Sequence, residues 1–170
     1  MNYREFRSSP SLQRYVECFW TLSTNSESEA PSRDKVLPDG CTELIFNLAD
    51  PFKRYHPDGI IELQPRTLIV GQMRCPALIQ PTGRVKLFGI RFRPSGAYPF
   101  LRFPQHELDD MILDLKTVWS SWGMELEERI HSLRPLRVPA CALRRRFCTG
   151  GWGIGALMVR WWKSWCSALS

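Results

Sequence analysis

GRVKLFGIRFRPSGAYPFL, residues 83–101, alternates residue by residue in a way only an extended strand explains. Lys86, Phe88, Ile90 and Phe92 fall on one side, and Val85, Leu87, Gly89, Arg91 and Arg93 on the other. Phe88, Ile90 and Phe92 make a core face, so both arginines share the opposite one. Pro94 then suits the first turn of a helix carrying Ala97, Tyr98, Phe100 and Leu101.

Upstream, VLPDGCTELIFNL (36–48) has the same period. Thr42, Leu44, Phe46 and Leu48 share one face, and Cys41, Glu43, Ile45 and Asn47 the other. The Pro38-Asp39-Gly40 turn between two apolar stretches predicts a hairpin, because Pro fixes φ and Gly tolerates positive φ. RTLIVGQM (66–73) and PALIQ (76–80) predict two further strands. The polar stretch 23–34 and the proline-bearing ADPFKRYHPDG (49–59) predict loops. In PSLQRYVECFW (10–20), Leu12, Tyr15, Val16 and Phe19 have helical spacing, which predicts a short helix passing into a strand near Trp20. Downstream, Leu108, Met111, Ile112, Leu115, Val118 and Trp119 predict a longer helix, broken near Gly123 and resumed to Ile130. Short strands followed by helices give an α+β, mainly β chain: a small barrel or sandwich with helices after the last strands.

Composition bounds the function. The chain has 170 residues, 44% hydrophobic and 24% charged, which excludes a wholly disordered protein. No apolar run approaches the roughly 18 residues of a membrane span. The opening MNYREFRSSP lacks the apolar core of a signal peptide, so a cytoplasmic location is expected. The net charge of +6 is not spread evenly: residues 1–133 hold 16 Lys and Arg against 17 Asp and Glu. Residues 134–170 hold seven Lys and Arg and no acid. The larger part is therefore not drawn to nucleic acid by its global field.

The six cysteines form no C-x-x-C pair and the three histidines are scattered, so neither a disulfide framework nor a metal site is expected. Nucleotide-binding glycine loops and nucleophile elbows are missing too. The chain is expected to be no enzyme and to need no cofactor. Residues 131–170 read as a separate, irregular, basic tail with four of the seven tryptophans. Its composition is of the kind that out-of-frame reading of a GC-rich gene produces; a genuine surface-binding tail is the alternative.

PSLQRYVECFW, VLPDGCTELIFNL and VGQMRCPALIQPTGRVKLFGIRFRPSGAYPFL, in this order, resemble the N-terminal regulatory domain of a group of AraC-type bacterial transcription regulators. The resemblance covers about residues 2–130. It implies a cupin-like β-barrel or jelly roll that senses an unknown small-molecule effector. It also implies a following helix-turn-helix domain, through which alone DNA would be bound. After Ile130 nothing resembles that part: Gly150, Gly151, Gly153 and Gly155 crowd where a recognition helix would form. The expectation is a regulatory domain truncated before its reader, with a small cupin-like enzyme or a non-functional relic as alternatives.

Candidate ligand-binding residues follow from the strands. Glu43, among apolar neighbours, is suited to accept hydrogen bonds from a ligand amine or hydroxyl. Arg91 suits a ligand carboxylate, and Arg93 and Gln72 are further polar candidates. Trp20 and Phe46 offer flat stacking surfaces. Against these stands a purely structural role, such as a Glu43–Arg91 ion pair or core packing. Asp39 reads as a turn former and Tyr55-His56 as an exposed loop pair. Met111, Leu115 and Trp119 are the candidate homodimer face.

Overall fold

The structure, a computed structural model, describes residues 1–24, 32–101 and 104–132. Two antiparallel sheets organise it. In the six-stranded sheet the order is β1 (Asn2–Arg7), β2 (Val16–Ser23), β9 (Lys86–Phe92), β4 (Glu43–Asn47), β7 (Thr67–Val70) and β10 (Ile112–Asp114). The four-stranded sheet runs β3 (Asp34–Val36), β8 (Ala77–Pro81), β5 (Phe52–Tyr55) and β6 (Ile61–Leu63). Helices α1 (Tyr98–Leu101) and α2 (Leu115–Ser132) and a 3-10 turn, Gln105–Leu108, come late in the chain. The mainly β expectation with helices after most of the strands holds.

Pairing of β4 with β9 sets Leu44 opposite Ile90 and Phe46 opposite Phe88, which aligns the two apolar faces read from sequence. That face, with Phe19, Ile69 and Phe92, is covered by Leu12, Ala97, Phe100, Leu108, Leu115 and Ile130 in one buried core. Phe88 lies between Phe46 (centroids 5.8 Å apart) and Phe19 (6.3 Å), both stacked on it. Each such side chain contributes about 1.5–3 kcal/mol by leaving water. Two glycines permit close approach. A Cβ on Gly71 would lie 1.8 Å from the Leu108 carbonyl oxygen, and one on Gly89 would lie 2.0 Å from the Trp20 ring.

Several expectations are corrected. Residues 10–15 form a turn, with the Leu12 carbonyl accepting from the N–H of Tyr15 and Val16 at 2.8 Å, and β2 begins at Val16. An irregularity between Val16 and Cys18 shifts the parity of β2, so Val16 and Phe19 both face the core three residues apart. That bulge mimics helical spacing. The Pro-Asp-Gly turn exists, with Gly40 at φ 72° and the Asp39 Oδ1 accepting from the Cys41 N–H at 2.9 Å. It makes no hairpin: β3 pairs with β8 and β4 with β7 and β9, so the turn carries the chain from one sheet to the other.

Residues 49–59 contain β5, and β1 was not anticipated at all. Met111 and Ile112 are not helical; β10 pairs with β7, placing Ile112 opposite Val70. Helix α2 breaks at Ser120 (φ 45°, ψ −121°), three positions before Gly123. Of the residues of the candidate homodimer face, Leu115 is fully buried, Trp119 is partly buried against the core and Met111 is exposed. The tail expected at 131–170 lies, from 133 onward, outside the described residues. No helix among the described residues is long and apolar enough to cross a membrane.

Candidate functional site

The six-stranded sheet has a second face, and its side chains are different. Register places Glu43 opposite Arg91, Arg91 opposite Cys18, and Ile45 opposite Gly89, which is itself opposite Trp20. These residues share the face turned away from the aromatic core. The Trp20 indole lies over the bare backbone of Gly89, where any side chain would collide with it. From there its Nε1–H donates to Glu43 Oε1 at 3.1 Å. Arg91 Nε donates to the same oxygen at 2.8 Å, and Arg91 Nη2 lies 3.2 Å from Asp39 Oδ2. Among the described residues both hydrogen bonds to Glu43 thus fall on one oxygen, leaving Oε2 as an acceptor.

Glu43 is largely buried, its side chain 13% exposed. Burial pushes its carboxyl above the ordinary range, against the opposing pull of the Arg91 charge and hydrogen bond. Burial also disfavours the charge on Arg91, but Glu43 and Asp39 outweigh it and hold the guanidinium firmly protonated. Cys18, on the same face, is pushed up to about 11, first by burial and then by Glu5. Its thiol is therefore protonated and a poor nucleophile at neutral pH.

Next to this cluster, between the two sheets, is a cavity of about 110 Å³. Glu43, Ile45, Leu68, Val70 and Leu87 line it from the larger sheet; Val36, Phe52, Ala77 and Ile79 line it from the smaller one. Asn47 and Gln64 are its other polar residues. The Asn47 amide is committed: it donates to the Asp50 carbonyl at 2.8 Å and accepts from the Ala49 N–H at 3.1 Å. The wall is therefore apolar with a few polar groups, as small-molecule sites generally are.

The six candidates from sequence divide. Glu43, Arg91 and Trp20 are brought together; Glu43 reaches the cavity wall. Phe46 sits on the opposite face of β4, fully buried against Phe88, and has no access to the cavity. Arg93 lies past the end of β9, exposed, its Nε donating to the Gln13 carbonyl at 2.7 Å. Gln72 follows β7 and accepts through its backbone carbonyl from the Asp110 N–H at 3.0 Å; it does not line the cavity. Asp39, read as a turn former, is that and also a partner of Arg91. Gln64, Phe52 and Ile79 were missed, because their stretches carried no alternation long enough to assign a face. Among the described residues no group of three His, Cys, Asp or Glu is placed to hold a metal ion.

Fold and site together define a two-sheet, mainly β domain with one solid face and one cavity-bearing face. The chain belongs to the family described as a domain of unknown function, DUF6597, whose model matches residues 4–114. The match runs from within β1 to the last residue of β10, so α2 lies beyond it. No curated protein and no solved structure matches the chain.

Proposed function

We propose that this chain supplies the ligand-sensing part of an AraC-type transcription regulator, acting in the cytoplasm by binding a small effector between its two sheets. The observation that carries the reading is the apolar cavity with a buried carboxylate in its wall. The resemblance of residues 10–20, 36–48 and 70–101 to regulatory domains of such proteins supports it, as does the two-sheet framework, which suits a cupin-like sensor. DNA contact would belong to a helix-turn-helix part, not to the described residues. The site binds rather than catalyses: Glu43 and Arg91 are engaged with one another, and the nearby Cys18 thiol stays protonated.

An effector acts only if it binds two states of the protein unequally. Strand β7 is suited to report occupancy. Its Leu68 and Val70 line the cavity, while Ile69 belongs to the core on the other face, and α2 packs on β7 and β10. A guest that spreads the sheets would therefore press on the seat of α2.

Thermal unfolding of the full chain against a broad panel of small metabolites tests the reading. A ligand at a hundred times its Kd stabilises the native state by about 2.7 kcal/mol, a readable rise in midpoint. A panel that leaves the midpoint unmoved contradicts a sensing role.

A further inference from the structure

The lining of the same cavity bears on the chemistry of its guest, an inference that rests on the sensing reading. Among the described residues its only ionisable lining residue is Glu43, and none of those that line it is basic. Arg91, the nearby cation, is turned elsewhere: Nε is on Glu43 and Nη2 on Asp39. A ligand carboxylate in the cavity would sit against the Glu43 carboxylate, and none of the described lining residues is basic to offset it. Counting the three groups, two carboxylates meet one guanidinium, so the cluster is left with a net negative charge.

Among the described residues both hydrogen bonds to Glu43 end on Oε1, which leaves Oε2 as an acceptor. Uncharged lining groups do not compete for a cationic head: Asn47 is held by the 49–50 turn, and Gln64 is a neutral amide. The remaining wall, from Ile45, Leu68 and Phe52 to Met73 and Ile79, is apolar. The volume of about 110 Å³ is below the roughly 150 Å³ of a cavity that admits benzene, so the apolar body must be small.

We propose that the cavity binds a compact primary ammonium compound, its branched or cyclic hydrocarbon body between the sheets and its –NH3⁺ on Glu43 Oε2. The step is binding alone. The ammonium supplies the second counter-charge that the buried carboxylate lacks, which is where discrimination against anions arises.

The test uses three isosteres on the full chain at matched ionic strength: isobutylamine, isobutanol and isobutyrate. Binding is followed by the unfolding midpoint and by chemical-shift titration of cavity methyl groups. Isobutylamine is expected to bind in the millimolar range, at least tenfold more tightly than isobutanol, with isobutyrate not binding. In Glu43→Gln the preference for amine over alcohol is expected to fall to within about twofold. Filling the cavity with Ala77→Leu is expected to abolish binding of all three, which separates site occupancy from general effects of amines. Equal binding of isobutanol and isobutylamine, or binding of isobutyrate, overturns the ammonium assignment while leaving a ligand cavity in place. No binding by any of the three overturns the ammonium assignment as well as this use of the cavity. The wild-type ligand series stands on its own if Glu43→Gln fails to fold.

Discussion

The two faces of the six-stranded sheet are built from the same strands and do opposite things. On one, Phe19, Phe46 and Phe88 stack and the helices seal them from water. On the other, one residue along each strand, lie Glu43, Ile45, Gly89 and Arg91, and the cavity lies between this face and the four-stranded sheet. Period-two alternation thus sorts stability to one face and chemistry to the other.

The largest effect is expected on the solid face. Phe88→Ala should lose about 3–5 kcal/mol, because two stacked rings lose their neighbour and the sheet cannot collapse into the hole. Denaturant unfolding checks this; a loss under 1 kcal/mol would mean the face is not close-packed.

On the other face the corresponding substitution works by crowding. Gly89→Ala puts a methyl where the Trp20 ring lies, so the indole must leave and Glu43 loses that donor. A cost of about 1–3 kcal/mol is expected, with one indole N–H resonance moving toward its solvent position. A retained resonance would contradict the placement of Trp20.

Arg91→Met is expected to cost about 1–3 kcal/mol at pH 7, since it strands a buried carboxylate. The pH dependence has a definite sign. Burial already raises the Glu43 pKa above its ordinary 4.5, so the folded state holds that proton more tightly than the unfolded state. Relative stability from this group is present at low pH and lost as pH rises through the folded value. Without Arg91 the folded value climbs further, so the deficit of the variant should shrink as pH falls toward 5. A deficit that is flat with pH would show that Glu43 is solvated.

The smallest effect concerns the thiols. Cys75 is exposed, Cys41 half-buried and Cys18 buried with its pKa near 11. Of these three, alkylation at pH 8 should label Cys75 first and Cys18 last, by peptide mass mapping. Early labelling of Cys18 would mean the face around Arg91 is open.

Strands β4 and β9 were legible in sequence because each is long enough, and one-sided enough, for alternation to show. From them the Glu43–Arg91 pairing could be anticipated as one alternative, and it is what the register produces. Edge strand β1 was not legible: Asn2, Arg4, Glu5 and Arg7 are all exposed, so no face carries an apolar signal. Strand β5 was hidden by the prolines around it and by a single buried anchor, Phe52. The bulge in β2 disguised a strand as a helix. Parity along β4 already set Phe46 on the face opposite Glu43, and core packing, the alternative to ligand stacking, is the role its burial against Phe88 gives it. The cavity itself was not legible, since it lies between two sheets whose membership depends on long-range pairing.

Diffraction from crystals of the full chain under xenon pressure tests the central claim most directly, since an apolar cavity of this size admits a xenon atom. Density is expected between Ile45 and Leu68 on one side and Phe52 and Ile79 on the other, with none among Phe19, Phe46 and Phe88. A space between the sheets closed by side chains, with no xenon there, would contradict the account.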